Sequence, residues 1–361
     1  MKKWPRLYKK SKTEAIVIVD IETQGDKIKV TTGQLDGQKI DHWTTCVPKN
    51  TGKANVTTAE EQAIKEAEAK WVKKKKGGYV EDPSGELIVK LPMKVKKYSD
   101  QKQNIIFPCF LSRKLNGING EFRLENGELK LYSRGGDEYP MLEHMREEIL
   151  AAMEFFGTKT LNGEIYKHGM HLQDITSAVK KHNKNTPSLE FHIFEIPDNS
   201  MEYKDKLKLL NTWDNSKWDF VKVVRAIEAY DHNEIEKYHD FIVEKGFEGI
   251  VIRNPDCIYE YNVRSSQVFK HKKPQDAEYK IVGYNIDKNG HPVFECTTGE
   301  HGFKVKIKGT DAERKAIAKE AQDWIGQWLK IEFEMLSKDN KPLKPVGLGL
   351  RSCDKEGNPL E

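Results

Sequence analysis

Apolar residues alternate with polar ones in some stretches of the chain and recur every three to four residues in others. Phe122 and Leu124 lead into Asn126-Gly127, and Leu129 and Leu131 follow. An Asn-Gly pair between two alternating segments predicts a β-hairpin with a type I′ turn. Phe303, Val305 and Ile307 alternate with Lys304, Lys306 and Lys308, and Leu329, Ile331, Phe333 and Met335 with Lys330, Glu332 and Glu334. This two-residue period belongs to strands with one buried face. Further strands are expected at Ile16–Val19, Ile28–Thr32, Leu161–Tyr166, Leu189–Ile196, Gly249–Arg253 and Ile281–Tyr284.

Three stretches follow the helical period instead. Ala63, Ala67 and Trp71 share one face, opened by Thr58 with Glu61 as a capping box and stopped by Gly77-Gly78. Met141 to Phe156 places Leu142, Met145, Ile149, Ala152 or Met153, and Phe156 on one stripe before Gly157. A third helix is expected from Asp311 to about Trp324, capped by Thr310 with Glu313. Strands and helices mix without a regular βαβ repeat, so the fold class is α+β and multidomain. Three segments result: 1–80, a small strand-rich unit closed by a helix; 85–278, a core of antiparallel strands with flanking helices; and 279–361, a small barrel of about five strands with one helix. Glu81-Asp82-Pro83-Ser84-Gly85 is the expected linker.

Composition narrows the class. With 361 residues the chain is long enough for two or three domains. Its mean hydropathy of -0.72 and short apolar runs predict no transmembrane helix, since a span needs about 20 apolar residues. The basic N-terminus lacks the apolar run of a secretory signal. Cys46, Cys109, Cys257, Cys296 and Cys353 form no C-x-x-C pair, which argues against a zinc ribbon or a disulfide scaffold and for reduced thiols in the cytoplasm. The net charge is only +4, but residues 1–100 hold 21 basic against 14 acidic side chains, including Lys73, Lys74, Lys75 and Lys76. That asymmetry predicts a polyanionic partner.

The chemistry concentrates around Arg113-Lys114-Leu115-Asn116-Gly117-Ile118-Asn119-Gly120, a lysine before a glycine-bearing turn and just ahead of the hairpin. Downstream, in order, stand Ser133-Arg134-Gly135-Gly136, Asn162-Gly163-Glu164, His192-Ile193-Phe194-Glu195, Glu248-Gly249-Ile250-Val251-Ile252-Arg253, and Phe269-Lys270-His271-Lys272 followed by Asp276-Ala277-Glu278. Each alone reads as a turn, a core position or a solvated strand face. Their joint order and spacing resemble the covalent nucleotidyltransferase superfamily of DNA ligases, RNA ligases and capping enzymes, and look most like the small ATP-dependent DNA ligases of phages. Lys114 and Gly117 match the superfamily's Lys-x-Asp-Gly-x-Arg nucleophile motif, with Asn116 for its Asp and Asn119 for its Arg. Arg253 stands in the place of the lysine that ends the Glu-Gly-containing strand motif, and Glu195 where Asp is usual.

The resemblance implies ATP and Mg²⁺ as cofactors, with Mn²⁺ as a substitute, and nicked duplex DNA as partner. A lysine amine protonated at pH 7 cannot attack phosphorus until neighbouring cations favour its neutral form. Lys114 is then the nucleophile. Ser112, Arg134, Glu164, Phe194, Lys270 and Lys272 are nucleotide-binding, with Phe194 stacked on adenine, and Glu164 and Glu248 are expected at ribose or, as metal ligands, at Mg²⁺. Asn119, Arg253 and the run Lys73 to Lys76 are expected at nucleic acid. The resemblance extends to an N-terminal WGR-like module, in which Thr32-Gly33-Gln34 takes the place of Trp-Gly-Arg, and to a C-terminal OB-fold domain containing the loosely matching Arg351-Ser352-Cys353-Asp354-Lys355. It further implies a monomer in the cytoplasm, or in host cytoplasm if viral, with no membrane partner. The alternatives are an RNA ligase with the same chemistry, because Lys-x-x-Gly-x-Asn also occurs in one RNA-ligase group, and a nicked-duplex-binding protein with a decayed site.

Overall fold

The computed structural model describes residues 1–11, 15–52, 54–82, 90–198, 200–272 and 274–360. Residues 83–85 of the expected linker lie outside them.

The N-terminal unit is a five-stranded antiparallel sheet backed by one helix. Its central strand, Ile16–Gln24, pairs with Lys27–Gln34 on one side and with Lys2–Lys3 and Leu7–Lys10 on the other. Helix Ala59–Lys76 starts at the expected capping box, with both reciprocal hydrogen bonds made. Small residues Ala63 and Ala67 let it lie close against Leu7, Val19, Ile21 and Ile28. Strand Lys39–Thr45 has no counterpart in the sequence expectations. It is an edge strand exposed along nearly its whole length, so neither face imposes the alternation that would reveal it.

Two sheets form the core. One has six strands in the order Glu138–Tyr139, Glu128–Ser133, Ile118–Glu125, Thr160–Tyr166, Glu190–Glu195 and Val221–Val223; the other has five, in the order Ala226–Ala229, Cys109–Lys114, Gly249–Arg253, Arg264–His271 and Lys94–Lys97. The predicted hairpin is present: Glu125 pairs with Glu128, and Asn126 and Gly127 turn at φ 51° and 83°. Phe122, Leu131, Ile149, Leu161, Phe191 and Ile193 are among the residues that fill the largest hydrophobic cluster. The helix expected over Met141–Phe156 is shorter, Arg146–Phe155, because Glu143–Met145 forms a 3₁₀ turn before it. Helices Leu172–Lys180, Tyr203–Asn211 and His232–Glu244 add to the core.

The third unit is a closed five-stranded barrel of Gln275–Ile286, Pro292–Thr297, Gly302–Ile307, Val346–Arg351 and Trp328–Phe333. Its first strand starts at Gln275, so the boundary expected at 278/279 falls inside it; the strand is continuous there because Gln275 to Lys280 pair with Phe333 to Trp328. The barrel helix ends at Glu320 rather than Trp324. Trp324 instead stacks on Phe294, centroids 5.1 Å apart. Among the described residues no helix is long and apolar enough to cross a membrane.

Candidate active site

A cavity of about 1030 Å³ opens between the two core sheets and is bordered by the barrel. One wall comes from the five-stranded sheet. Strand Cys109–Lys114 runs antiparallel to Gly249–Arg253, pairing Lys114 with Gly249 and Ser112 with Val251. The next strand pairs Val251 with Lys270. Side chains two apart on a strand share a face, so Ser112, Lys114, Lys270 and Lys272 all reach the cavity, as its lining records. Gly249 is obligatory for this packing: a Cβ there would lie 2.3 Å from the His271 carbonyl oxygen, and its φ is +146°.

Charges on this wall form an alternating chain. Lys114 Nζ pairs with Glu248 Oε2, Lys272 Nζ lies 3.0 Å from Glu248 Oε1 and 3.4 Å from Glu334 of the barrel, and Lys344 Nζ lies 2.8 Å from Glu334. Burial pushes the Glu248 carboxyl up, but Lys114 and Lys272 outweigh it and hold the group below its ordinary range. Burial, then Lys272 and Lys114, push Lys270 down, outweighing the upward pull of Glu248 and Glu334. For Lys272 burial also pulls down, yet Glu248 and then Glu334 carry the net shift upward.

The opposite wall comes from the six-stranded sheet. Asn119 pairs across the ladder with Glu164, and Glu164 with His192. Gly117 lets the loop after Lys114 lie against this wall, since a Cβ there would sit 2.3 Å from the Ile165 carbonyl oxygen. Burial raises the Glu164 carboxyl to about 7 despite nearby Lys114 and Arg134. Phe194 and Arg134 line the same cavity. Glu164 and Glu248 present hard oxygen atoms. Among the described residues no three His, Cys, Asp or Glu side chains gather into a metal cage. That donor set suits Mg²⁺, which is usually held by one or two carboxylates together with substrate phosphates.

Two expectations are corrected. Arg253 is not at a nucleic-acid surface. It is 6% exposed, its guanidinium pairs with Glu195 and lies over Tyr203 at 4.6 Å and Phe194 at 5.7 Å. The Glu195 carboxylate also meets Lys206 Nζ at 3.2 Å. A buried carboxylate needs countercharge, and Arg253 supplies it. Asn119 is likewise buried in the cavity wall rather than open to a duplex. The run Lys73 to Lys76 ends the N-terminal helix outside the cavity. Within it Lys75 pairs with Glu81 at 2.6 Å, Lys76 pairs with Asp137 beside Arg134, and Lys74 lies over the Tyr79 ring at 5.1 Å. Glu334, Met335 and Lys344 reach the cavity from the barrel. No sequence signal singled them out, because Glu334 reads as one more solvated strand position.

The family model for the ATP dependent DNA ligase domain matches residues 91–272. The chain is 28% identical over 344 residues to a DNA ligase of African swine fever virus (isolate Warthog/Namibia/Wart80/1980), covering 84% of this chain and 78% of that protein. It is 24% identical over 348 residues to the DNA ligase of Enterobacteria phage T6, covering 76% and 71%. Among solved structures, a Lig E DNA ligase superposes with a TM-score of 0.57 at 22% identity, over 73% of this chain and all of that one (100%). That structural likeness speaks to the fold.

Proposed function

The chain belongs to the ATP-dependent DNA ligase family, and from that premise we propose that Lys114 is the residue that carries AMP between ATP and the broken strand. The observation that carries this reading is the position of Lys114 at a strand end, inside one cavity with Glu164, Glu248, Lys270 and Lys272.

Lys114 Nζ gives up its proton and attacks the α-phosphorus of ATP; a P–N bond forms and the P–O bond to pyrophosphate breaks. A 5′-phosphate oxygen of the nick then attacks the same phosphorus, the P–N bond breaks, and the lysine amine regains a proton. Finally the 3′-hydroxyl attacks the activated 5′-phosphate, AMP departs, and the strand is sealed. Such transfers depend on positioning and charge neutralisation. Lys270 and Lys272 line the same cavity as the nucleophile, where their positive charges would meet the phosphates, and Ser112 and Arg134 would add donors. The Phe194 ring, held beside the Arg253 guanidinium, offers a face for adenine. Glu164 and Glu248 would hold Mg²⁺, which would supply neutralisation of phosphate charge. The N-terminal unit, read as WGR-like with its basic helix end, and the OB-fold barrel would grip duplex on two sides of the core, with the protein acting as a monomer.

Incubation with α-labelled ATP and Mg²⁺ tests the nucleophile. Wild type becomes labelled on the peptide containing Lys114, and Lys114→Ala does not, while keeping its circular-dichroism spectrum. Labelling of the variant at the wild-type level would refute the assignment. Parallel sealing of nicked DNA and nicked RNA separates the two substrates; faster sealing of RNA would favour the RNA-ligase alternative.

A further inference from the structure

The N-terminal unit has two charged surfaces of different character. Its sheet is covered on one side by helix Ala59–Lys76 and open on the other. On the open side Asp20, Thr31 and Asp41 form one row across the ladder, and Glu22, Lys29 and Trp43 form the next. Arg6 lies 2.7 Å from Asp20, and Lys29 lies 3.1 Å from Asp41 and 3.7 Å from Glu22. The carboxylates on this face hold those cations in ion pairs and oppose a polyanion.

The second surface is a ridge built from two elements. Lys73, Lys74, Lys75 and Lys76 form the last turn of the helix. Lys9 pairs with Val17 in the ladder and donates from Nζ to the Gly77 carbonyl at 2.6 Å, where the helix ends. Part of this charge answers the negative end of the helix dipole. Lys9 and Lys74 also share the Tyr79 ring, at 5.6 and 5.1 Å from its centroid. Among the described residues Lys75 pairs with Glu81 and Lys76 with Asp137, whereas Lys9, Lys73 and Lys74 form no ion pair. Like charges gathered without a countercharge repel one another until an anion arrives, and each ammonium has donors to spare for it.

Position identifies the anion. Asp137 lines the cavity together with Arg134, so its pair with Lys76 brings the ridge to the cavity mouth. A ligand that fills the mouth and continues over a row of lysines outside it is a nucleic-acid backbone. We propose that the phosphates of the duplex flank next to the nick run from the cavity mouth along Lys73 to Lys76 and Lys9, and that the open face of the N-terminal sheet takes no part in the contact. This rests on the ligase reading above and gives the N-terminal grip a defined surface.

The test compares two double variants of the full chain that lose the same charge from different surfaces. Binding of nicked duplex DNA is titrated over a range of salt, with the amount of competent enzyme taken from its labelling by ATP. Each lysine–phosphate contact contributes about 1 to the slope of log affinity against log salt. Lys9→Ala with Lys74→Ala should therefore lower the slope by about 2. Lys29→Ala with Lys39→Ala, both on the open face, should leave it within about 0.5 of wild type. Shortening the duplex on one side of the nick should erase the difference between wild type and the ridge variant, and shortening it on the other should not. Should the ridge variant fail to label, Lys73→Ala with Lys74→Ala, which spares the Lys9 bond to Gly77, makes the same comparison. An unchanged slope in the ridge variants, a larger loss in the sheet-face variant, or a difference that survives trimming of both flanks overturns the proposal. Absence of labelling of wild type by ATP is a separate failure, that of the ligase reading.

Discussion

The two walls of the cavity follow opposite electrostatic plans. On the five-stranded wall, Lys114 and Lys272 share Glu248, and Glu334 links Lys272 to Lys344. On the six-stranded wall Glu164 is held near neutrality by burial, and Asn119 keeps a bare oxygen. The first wall has Lys114, Lys272 and Lys344 paired with carboxylates before nucleotide arrives, while Lys270 is pushed down by burial and by Lys272 and Lys114. The second leaves one buried acceptor, Asn119 Oδ1, without a protein partner. Shared carboxylates reduce the mutual repulsion of the lysines on the paired wall, whereas burial sets the state of the polar groups on the other.

The contrast can be broken most severely where the walls are tied together. Arg253 of the paired wall and Glu195 of the other form a buried ion pair. Arg253→Met should cost about 3–5 kcal/mol by urea unfolding, because it removes one of the two cations serving Glu195; adding Glu195→Gln should recover part of it. A single-mutant loss below about 1 kcal/mol would mean the pair does not join the walls.

Next comes the paired wall itself. Glu248→Gln leaves Lys114 and Lys272 without their common carboxylate. Single-turnover labelling should slow by about 10²-fold or more, in line with the loss of one charged group from a preorganised site. Near-wild-type labelling would show that the alternating chain is not needed.

The unpaired wall should respond in the other direction. The Glu164 carboxyl is raised to about 7 from an ordinary 4.5. A raised acid binds its proton more tightly in the folded state, so its penalty is absent below the unfolded value, grows as pH rises toward 7, and is full above it. Glu164→Gln should therefore stabilise the protein by an amount on the order of 1–3 kcal/mol at pH 8, shrinking steadily toward pH 5, even as adenylation falls. A gain independent of pH would contradict the burial explanation.

The smallest effect is expected outside both walls. Lys76 and Asp137 pair across the junction between the N-terminal helix and the core, with side chains 39% and 57% exposed. Lys76→Ala should change stability by less than about 0.5 kcal/mol, since exposed pairs are screened by water and salt. A larger loss in a urea titration would indicate that the junction is stiffer than one surface pair implies.

Strongly patterned elements were legible in advance. The Asn126-Gly127 hairpin, both capping boxes and strand Gly249–Arg253 follow from local rules that operate over a few residues. The exposed edge strand Lys39–Thr45 was not, because burial on one face is what writes a period of two. Helix Leu172–Lys180 also has no counterpart among the expected elements, although Leu172, Ile175 and Val179 follow the helical period and Ile175, Ala178 and Val179 are buried.

The same division holds for the site. Order along the chain brought Lys114, Glu164, Phe194, Glu248, Lys270 and Lys272 forward together, since each sits in a short motif whose glycines and charges are local, and the cavity contains all six. The fates of Arg253 and Asn119 depended on residues 58 and 43 or 44 positions away. An arginine or asparagine written in one dimension does not say whether a carboxylate, a carbonyl or solvent will meet it. The chain's own letters thus fixed which groups could do the chemistry, through local periodicity and motif spacing. Only packing the sheets against each other decided which charges were neutralised and which acceptor was left open, because desolvation and pairing energies arise from neighbours that the fold alone supplies.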